Sequence, residues 1–286
     1  MKRGIQEWRM EARRALNRWL APANIRIDSR SAERAEAARI RGLQANGWFD
    51  APAFPANWKT PEALIRDLLD DIARCQAVFD RLASGSAGFS YDNAYFSAPD
   101  VEALYAMLRR FPPAVIVEVG SGNSTAIMRR AIQVGGWKTR LISVDPQPRE
   151  DVSALADEIH RRPVEALPEG AVQAWLRPGG MLFIDSSHAI RPGNDVAVLF
   201  LKILPALPAG TLVHVHDVYL PFEYPAEAGI LDFNEQYLLQ ALLGSPDWEV
   251  LWPGYQLERQ WPGFAERFPH WRPGRHAVSF WMRKRA

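Results

Sequence analysis

The stretch AVIVEVGSGNSTAIMRRAI, residues 114–132, decides the fold of this chain. A short strand of β-branched residues enters a turn of small residues, and the turn leads into a segment with the apolar spacing of a helix. Gly120 and Gly122 let a ligand approach the backbone closely, while Ser124 and Thr125 are residue types that cap helices. In an open parallel sheet, ligands bind beyond the carboxyl ends of the strands, so this turn is predicted to be a binding site.

Short apolar segments without strict alternation recur along the chain, as expected of strands whose two faces are both covered. They are residues 115–119, 141–144, 181–184 and 212–215. STAIMRRAIQVGG, DVSALADEIH and DVAVLFLKILPAL lie between them and are interpreted as helices, which predicts an α/β fold with a parallel sheet. The last two strands, WEVLWPG and HAVSFWMRKR, are joined without a clear helix and are predicted to pair antiparallel.

The segment before the sheet is predicted to be helical. Leu64, Leu68, Ile72, Cys75, Phe79 and Leu82 recur every three or four residues, as on one face of a helix. We therefore predict a helical N-terminal extension over residues 1–88 and the sheet domain over residues 89–286.

The first twenty residues, MKRGIQEWRMEARRALNRWL, contain six basic and two acidic residues. Trp8, Ala12, Leu16 and Trp19 lie near helical spacing, which predicts an amphipathic helix. Packing of this helix on its own domain is the favoured interpretation. Contact with a membrane surface or with a partner is the alternative.

Composition narrows the class of protein. The 286 residues are 48% hydrophobic and 23% charged, which is typical of a globular chain. Thirty-four Lys and Arg against 33 Asp and Glu give a net charge of +1, so no nucleic acid partner is expected. A single cysteine, Cys75, and the absence of zinc spacing favour a cytoplasmic location. No apolar run reaches the roughly 18 residues of a transmembrane helix.

The glutamate before the glycine turn limits the choice of ligand. A dinucleotide fingerprint would have a third glycine where this chain has Thr125, and the carboxylate of Glu118 would oppose an approaching pyrophosphate. For a small ligand that carries an ammonium group, the same carboxylate would be a partner. A nicotinamide-dependent oxidoreductase is thus the weaker alternative.

These residues carry a resemblance to a known family. VEVGSGNS resembles the first motif of class I S-adenosylmethionine-dependent methyltransferases, and LISVDPQP ends a second strand in Asp145 at a similar spacing. The resemblance implies a three-layer Rossmann-like sheet and S-adenosyl-L-methionine as cofactor. It also implies a set of cofactor-binding residues: Glu118 and the turn residues Gly120, Ser121, Gly122, Asn123 and Ser124 for the methionine part, Asp145 for the ribose hydroxyls, and Asp185 and Tyr95 around them.

The ends of the later strands resemble one branch of that class. FIDSSH and HVHDVYLPFEYP are similar to a mostly uncharacterised bacterial branch, which is related to sugar and phenol O-methyltransferases that hold a divalent cation at these strand ends. Asp185 and Asp217 match the metal ligands of those relatives, whereas His216 replaces an oxygen ligand. Magnesium prefers oxygen ligands, so an imidazole would favour a transition metal.

Methyl transfer to a hydroxyl needs a base beside the acceptor. His188 and Asp217 are the candidates, since both follow strands at the predicted binding edge. The plainer alternatives are a hydrogen-bonded histidine and an aspartate that stabilises a turn. The predicted activity is methyl transfer to an oxygen of a small or conjugated acceptor.

The aromatic loops near the end of the chain are compatible with several functions. YLPFEYPAEAG and PGYQLERQWPGFAERFPHWRPG are predicted to roof an acceptor pocket or to form a homodimer interface. A non-catalytic partner protein that keeps the sheet and docks through these loops and the basic helix is the alternative from outside the enzymes.

Overall fold

The computed structural model describes residues 2–23, 30–59, 61–85, 89–148, 151–176, 179–225 and 233–285. The chain divides into two compact units, Met1–Ala51 and Pro52–Ala286. Among the described residues, no helix combines the length and the apolar composition that a membrane span requires.

The described residues of the first unit form two helices, α1 (Lys2–Leu20) and α2 (Arg30–Ala45), with a 3-10 turn at Ala21–Ala23 after the first. Trp8 and Trp19 on α1 are 68% and 76% exposed. The predicted helix is therefore present with both tryptophan side chains exposed, and its contact with its own domain, a membrane surface or a partner stays a prediction.

Three helices precede the sheet in the second unit: α3 (Glu62–Arg74), α4 (Gln76–Ala83) and α5 (Asp100–Arg110). Helix α3 buries Ile65, Leu68, Leu69 and Ile72, whose spacing puts them on one face. These side chains belong to the same core as the strand residues Ile116 and Leu141. Helix α3 thus shares a core with the sheet, and the predicted domain boundary between residues 88 and 89 stays a prediction.

The described residues form one seven-stranded sheet in the order β3-β2-β1-β4-β5-β7-β6. The strands are β1 (Val115–Val119), β2 (Arg140–Val144), β3 (Glu158–His160), β4 (Met181–Ile184), β5 (Leu212–Val215), β6 (Trp248–Pro253) and β7 (Phe280–Lys284). The first five are parallel, and β7 is antiparallel to both β5 and β6. The predicted parallel sheet with an antiparallel end is confirmed.

Further helices cover the sheet: α6 (Asn123–Gly135), α7 (Ala171–Trp175), α8 (Asp195–Val198), α9 (Glu235–Leu242) and α10 (Gly254–Gln260). A π-helical segment, Leu199–Ile203, continues α8, and 3-10 turns lie at Val164–Ala166, Leu204–Ala206 and Ala265–Arg267. Successive strand residues such as Ile116 and Val117 belong to separate cores on the two faces. This is why the strands show no polar alternation.

One helix prediction was wrong. Residues 158–160, interpreted as the end of the helix DVSALADEIH, form the edge strand β3 and pair in parallel with Ile142 to Val144 of β2. The backbone groups of β2 would otherwise lack partners along that edge, and this long-range pairing overrides the local helical pattern.

Strand order reverses between β1 and β4, which lie side by side although the chain visits two other strands between them. In open α/β sheets, the crevice beyond the strand ends at such a position is the usual place for a ligand. The predicted turn after β1 and the polar residues after β4 thus meet at one edge.

Candidate functional site

A cavity of about 540 Å³ lies at this crevice. Its volume suits a small organic ligand or cofactor. The carboxyl ends of β1, β2 and β4 form its walls, and most of the predicted cofactor residues line it: Tyr95, Gly120, Ser121, Gly122, Asn123, Ser124, Asp145 and Asp185. The structure therefore brings these residues together around one space.

Gly120 is the residue of the turn at which a side chain is excluded. Its φ is 83°, in the left-handed region, and a Cβ atom there would lie 1.8 Å from the carbonyl oxygen of Asp185. Because β1 and β4 are neighbours, the turn after β1 passes directly over the end of β4. Only glycine allows that approach.

Glu118 lies beneath the turn and is fully buried, outside the residues that line the cavity. Its two carboxylate oxygens accept hydrogen bonds from Ser124 Oγ and Thr125 Oγ1, each at 2.6 Å, and Thr125 Oγ1 accepts one from the Gly122 amide at 3.0 Å. Burial raises the pKa of Glu118 to about 8, although the two hydroxyl donors lower it. In this structure Glu118 fixes the turn; its predicted contact with a ligand ammonium stays a prediction.

Asp145 directly follows β2 and lies at the cavity wall. Its Oδ2 accepts hydrogen bonds from the Ser121 amide at 2.8 Å and the Ser121 hydroxyl at 3.2 Å, and its Oδ1 accepts one from the Gln147 amide at 2.7 Å. A carboxylate has about four acceptor positions, so it retains capacity for a ligand hydroxyl. The position agrees with the predicted ribose contact, which the structure does not test.

Ser186, the next residue after Asp185, also lines the cavity. Its hydroxyl is buried and has no hydrogen-bond partner among the described residues. Buried polar groups are nearly always paired, so an orphaned hydroxyl at a cavity wall is consistent with a polar ligand there. Together with the glycine turn and the acceptor oxygens of Asp145, this hydroxyl gives the cavity a set of polar groups that fits an adenosyl cofactor.

Three side chains that were predicted as metal ligands meet beside the cavity. Nδ1 of His216 lies 3.6 Å from Oδ1 of Asp185 and 3.7 Å from Oδ1 of Asp217. One ligand atom from each residue falls within 4.8 Å of the others. Asp185 follows β4 and the other two follow β5, so the adjacent ends of two parallel strands produce the cluster.

His188 completes this polar cluster from the loop after β4. Its Nε2 lies 3.3 Å from Oδ1 of Asp185 and 3.5 Å from Oδ2 of Asp217. His188 and Asp217 have φ values of 60° and 54°, which non-glycine residues rarely adopt. Such backbone strain persists only where the surroundings enforce it, and it is concentrated at functional sites.

Two buried carboxylates outside the cluster hold the two histidines, and sequence reasoning missed both. Nε2 of His216 donates to Asp100 at 3.2 Å, and Nδ1 of His188 donates to Glu235 at 2.6 Å. Asp100 begins α5 and Glu235 begins α9, positions where an acidic residue is expected for the helix alone. No sequence signal links either acid to a histidine so far away in the chain.

The cluster favours positive charge between its carboxylates. Burial opposes protonation of His216 and His188, but the surrounding carboxylates raise the pKa of both rings well above the usual value. Burial would also raise the pKa of Asp185, yet the two histidines hold it well below its usual value. The third histidine of this region, His214, points elsewhere: it bonds Ser279 Oγ at 2.9 Å, and burial lowers its pKa well below the usual value.

The region that contains these residues also matches a known family. Residues 117–218 match the family model Methyltransf_24, described as a methyltransferase domain. The match runs from β1 to just beyond β5 and covers a minority of the chain. It includes the glycine turn, Asp145 and the polar cluster. No curated protein matches the sequence.

Several solved structures align with the chain at low similarity, including two from Thermobifida fusca YX and Podospora anserina. A candidate methyltransferase from Thermobifida fusca YX is 15% identical, with a TM-score of 0.42, over 82% of this chain and 98% of its own. The SAH-bound methyltransferase PaMTH1 from Podospora anserina is 14% identical, with a TM-score of 0.42, over 92% of this chain and 99% of its own. We draw no functional conclusion from similarities of this size.

The sheet and the family match agree on a class of protein. The sheet has the mostly parallel order with an antiparallel end that was predicted for a Rossmann-like fold, and residues 117–218 match a methyltransferase domain model. The enzyme class predicted from the sequence, an S-adenosylmethionine-dependent methyltransferase, is supported.

Proposed function

We propose that this chain transfers the methyl group of S-adenosylmethionine to an oxygen of a small or conjugated acceptor. The observation that carries the proposal is the position of Asp185. Its side chain lies both on the wall of the cofactor-sized cavity and in the cluster with His188, His216 and Asp217. A methyl donor in the cavity would therefore have acid and base groups directly beside it.

The cofactor half of the site consists of the turn and the end of β2. When bound, the cofactor supplies the activated methyl group. The turn from Gly120 to Ser124 would contact its methionine part, Asp145 would accept hydrogen bonds from its ribose hydroxyls, and Tyr95 would lie at the cavity mouth. Tyr95 is 58% exposed in this structure and lines the cavity, which suits a cover.

The acceptor half consists of the polar cluster. An acceptor hydroxyl has to lose its proton as it attacks, and a base within hydrogen-bond reach speeds that loss. His188 is the base in this proposal, because Glu235 fixes its ring so that Nε2 faces Asp185 and Asp217. Only the neutral ring can accept a proton, and a cation between Asp185 and Asp217 would favour that form by offsetting the carboxylates that raise the pKa of His188. Asp217 is the second candidate, with its carboxylate on the same side.

A divalent cation is part of the proposal. Asp185, His216 and Asp217 offer two carboxylates and one imidazole at the separations that a single ion requires. An ion there would supply positive charge beside the acceptor oxygen, next to the cavity wall. A small-molecule acceptor is the partner that this arrangement favours.

Calorimetric titration of the full chain with S-adenosylhomocysteine tests the proposal. We expect saturable binding with one equivalent, and methyl transfer from labelled S-adenosylmethionine to a pool of phenolic, sugar and hydroxy-acid acceptors. NADH is the matched control ligand. Binding of NADH in place of S-adenosylhomocysteine would overturn the assignment in favour of an oxidoreductase.

A further inference from the structure

We propose that Asp185, His216 and Asp217 bind a first-row transition ion in preference to Mg²⁺, and that Asp100 is the positioning residue that aims His216 at that ion. The inference deepens the proposed function, on which it rests.

The first support is the direction of the His216 ring. The side chain is 4% exposed, and its Nδ1 atom points between two carboxylates at 3.6 and 3.7 Å. Both distances exceed a good hydrogen bond, for which about 2.7 to 3.2 Å is usual. Ligand atoms bound to one ion at about 2.1 Å each lie roughly 3 to 4 Å apart. The spacing therefore suits three ligands around an ion better than a ring that is bonded to its neighbours.

The second support is the other nitrogen of the same ring. Nε2 donates to Oδ2 of Asp100 at 3.2 Å, which leaves Nδ1 as the lone-pair nitrogen when the ring is neutral. Histidines that bind metals usually donate their second N–H to a carboxylate or carbonyl, which fixes the tautomer. Of the two neutral tautomers of His216, Asp100 thus favours the one whose Nδ1 can bind a cation.

Asp100 is itself held firmly in place. It is 3% exposed, and its carboxylate accepts hydrogen bonds from the amides of Ser279 at 3.0 Å and Val278 at 3.3 Å. Those amides begin the segment that becomes β7, so α5, β5 and β7 all fix the ring of His216. A rigid support of this kind is typical of residues that orient a metal ligand.

The third support is the donor set. Mg²⁺ binds almost exclusively through oxygen ligands and keeps several waters, whereas imidazole is well suited to later first-row ions such as Fe²⁺, Ni²⁺ and Zn²⁺. A site with one buried nitrogen and two carboxylate oxygens, beside a cavity that leaves room for acceptor or water, belongs to the second group. We therefore infer an ion of that group.

The test is direct metal binding to the chelator-treated full chain. Titrations with Mn²⁺, Zn²⁺ and Mg²⁺ are expected to give affinities for Mn²⁺ and Zn²⁺ at least 10-fold above that for Mg²⁺. Pulsed electron paramagnetic resonance of bound Mn²⁺ should detect a nitrogen ligand in the natural chain and lose it in His216→Ala. A Mg²⁺ affinity equal to the others, or a nitrogen signal that survives in His216→Ala, would overturn the assignment.

Asp100→Asn tests the positioning role. Asparagine keeps one oxygen, which can still accept from the Ser279 amide, but an NH₂ group replaces Oδ2, the atom that accepts from the Val278 amide and from His216. The ring tautomer is then no longer fixed, so Mn²⁺ affinity should fall about 10- to 100-fold. The matched control is Glu102→Gln, which changes another buried acid on the same helix that bonds Tyr91 and not His216. Equal Mn²⁺ affinity in the two variants would disprove the role of Asp100.

S-adenosylhomocysteine titrations of the same samples separate the two proposals. Cofactor binding without transition-metal binding would contradict only the metal site. Transition-metal binding without cofactor binding would contradict the proposed function.

Discussion

Glu235 Oε1 lies 2.6 Å from Nδ1 of His188, although 47 positions separate the two residues in the chain. The amides of Asn234 and Glu235 also donate to the backbone carbonyl of His188, at 3.0 and 3.2 Å. The start of α9 therefore fixes both the backbone and the ring of the residue that we propose as the base.

This contact predicts the effect of removing the base. His188→Ala should lower the rate of methyl transfer about 100- to 10,000-fold, because general base catalysis contributes on that scale. Glu235→Gln should give a smaller loss, since the ring remains but its orientation is less fixed. Rates of label transfer in single-turnover experiments measure both effects. S-adenosylhomocysteine affinity should be unchanged in His188→Ala, and a matching loss of cofactor affinity would contradict the assignment.

The second prediction concerns the role of the glycine turn in cofactor binding. Gly120→Ala should weaken S-adenosylhomocysteine binding more than 10-fold, because the added Cβ would displace the end of β4 at Asp185. Calorimetric titration measures the affinity. Gly42→Ala is the matched control, because Gly42 lies in α2 and a Cβ there meets nothing within 4 Å. Near-equal affinities for the two variants would show that the turn is not the cofactor site.

The third prediction concerns Glu118, whose removal should affect both the stability of the fold and the binding of the cofactor. Glu118→Ala would leave the hydroxyls of Ser124 and Thr125 buried without their acceptor, and each such loss costs about 1 to 3 kcal/mol. We expect the free energy of unfolding to fall by roughly 2 to 4 kcal/mol and the cofactor affinity to fall with it, because the turn loses its support. Urea denaturation monitored by circular dichroism measures the first effect. Unchanged stability with lost affinity would instead favour direct contact of Glu118 with the ligand.

Glu102 predicts a dependence of stability on pH. Burial raises the pKa of this carboxyl from 4.5 to about 7, against a hydrogen bond from Tyr91 that lowers it, and the nearby charge of Asp100 raises it further. Between these two values the folded chain retains a proton that the unfolded chain has lost, so folding becomes less favourable as pH rises. The contribution is complete below pH 4.5, declines up to about pH 7, and amounts to roughly 3 kcal/mol.

Glu102→Gln isolates that contribution, since glutamine has no proton to lose in this range. Unfolding free energies of the natural chain and the variant should diverge between pH 5 and 7, with the natural chain losing more. Parallel pH profiles for the two chains would show that Glu102 does not titrate in this way.

Much of the sheet could be predicted because its signals are local. The apolar runs, the glycine turn and the missing helix before the last strand identified the parallel sheet and its antiparallel end. The grouping of Asp185 with His216 and Asp217 was implied by the resemblance of the strand ends to metal-dependent relatives, and it agrees with the rule that parallel strands end at one edge. Strand β3 was not predicted, because its pairing depends on the free edge of β2, and no local sequence pattern indicates that edge.

The supports of the site could not be predicted because they depend on distant pairs. Asp100 and His216 are 116 positions apart, and nothing in the spacing of either residue indicates the other. The burial of Glu118 could not be predicted either. The sequence does not determine whether a carboxylate at a strand end faces the cavity or the helix behind it.

The place of β7 in the sheet has a consequence for how the protein is made. β7 follows the other described strands in the chain, yet it pairs between β5 and β6. While the ribosome is still synthesising residues 278–284, the backbone of β5 has no neighbour on that side, and Asp100 lacks the amides that hold it. The nascent chain therefore carries an open strand edge, which invites chaperone binding or aggregation, and it acquires a correctly oriented His216 only after that strand has been inserted.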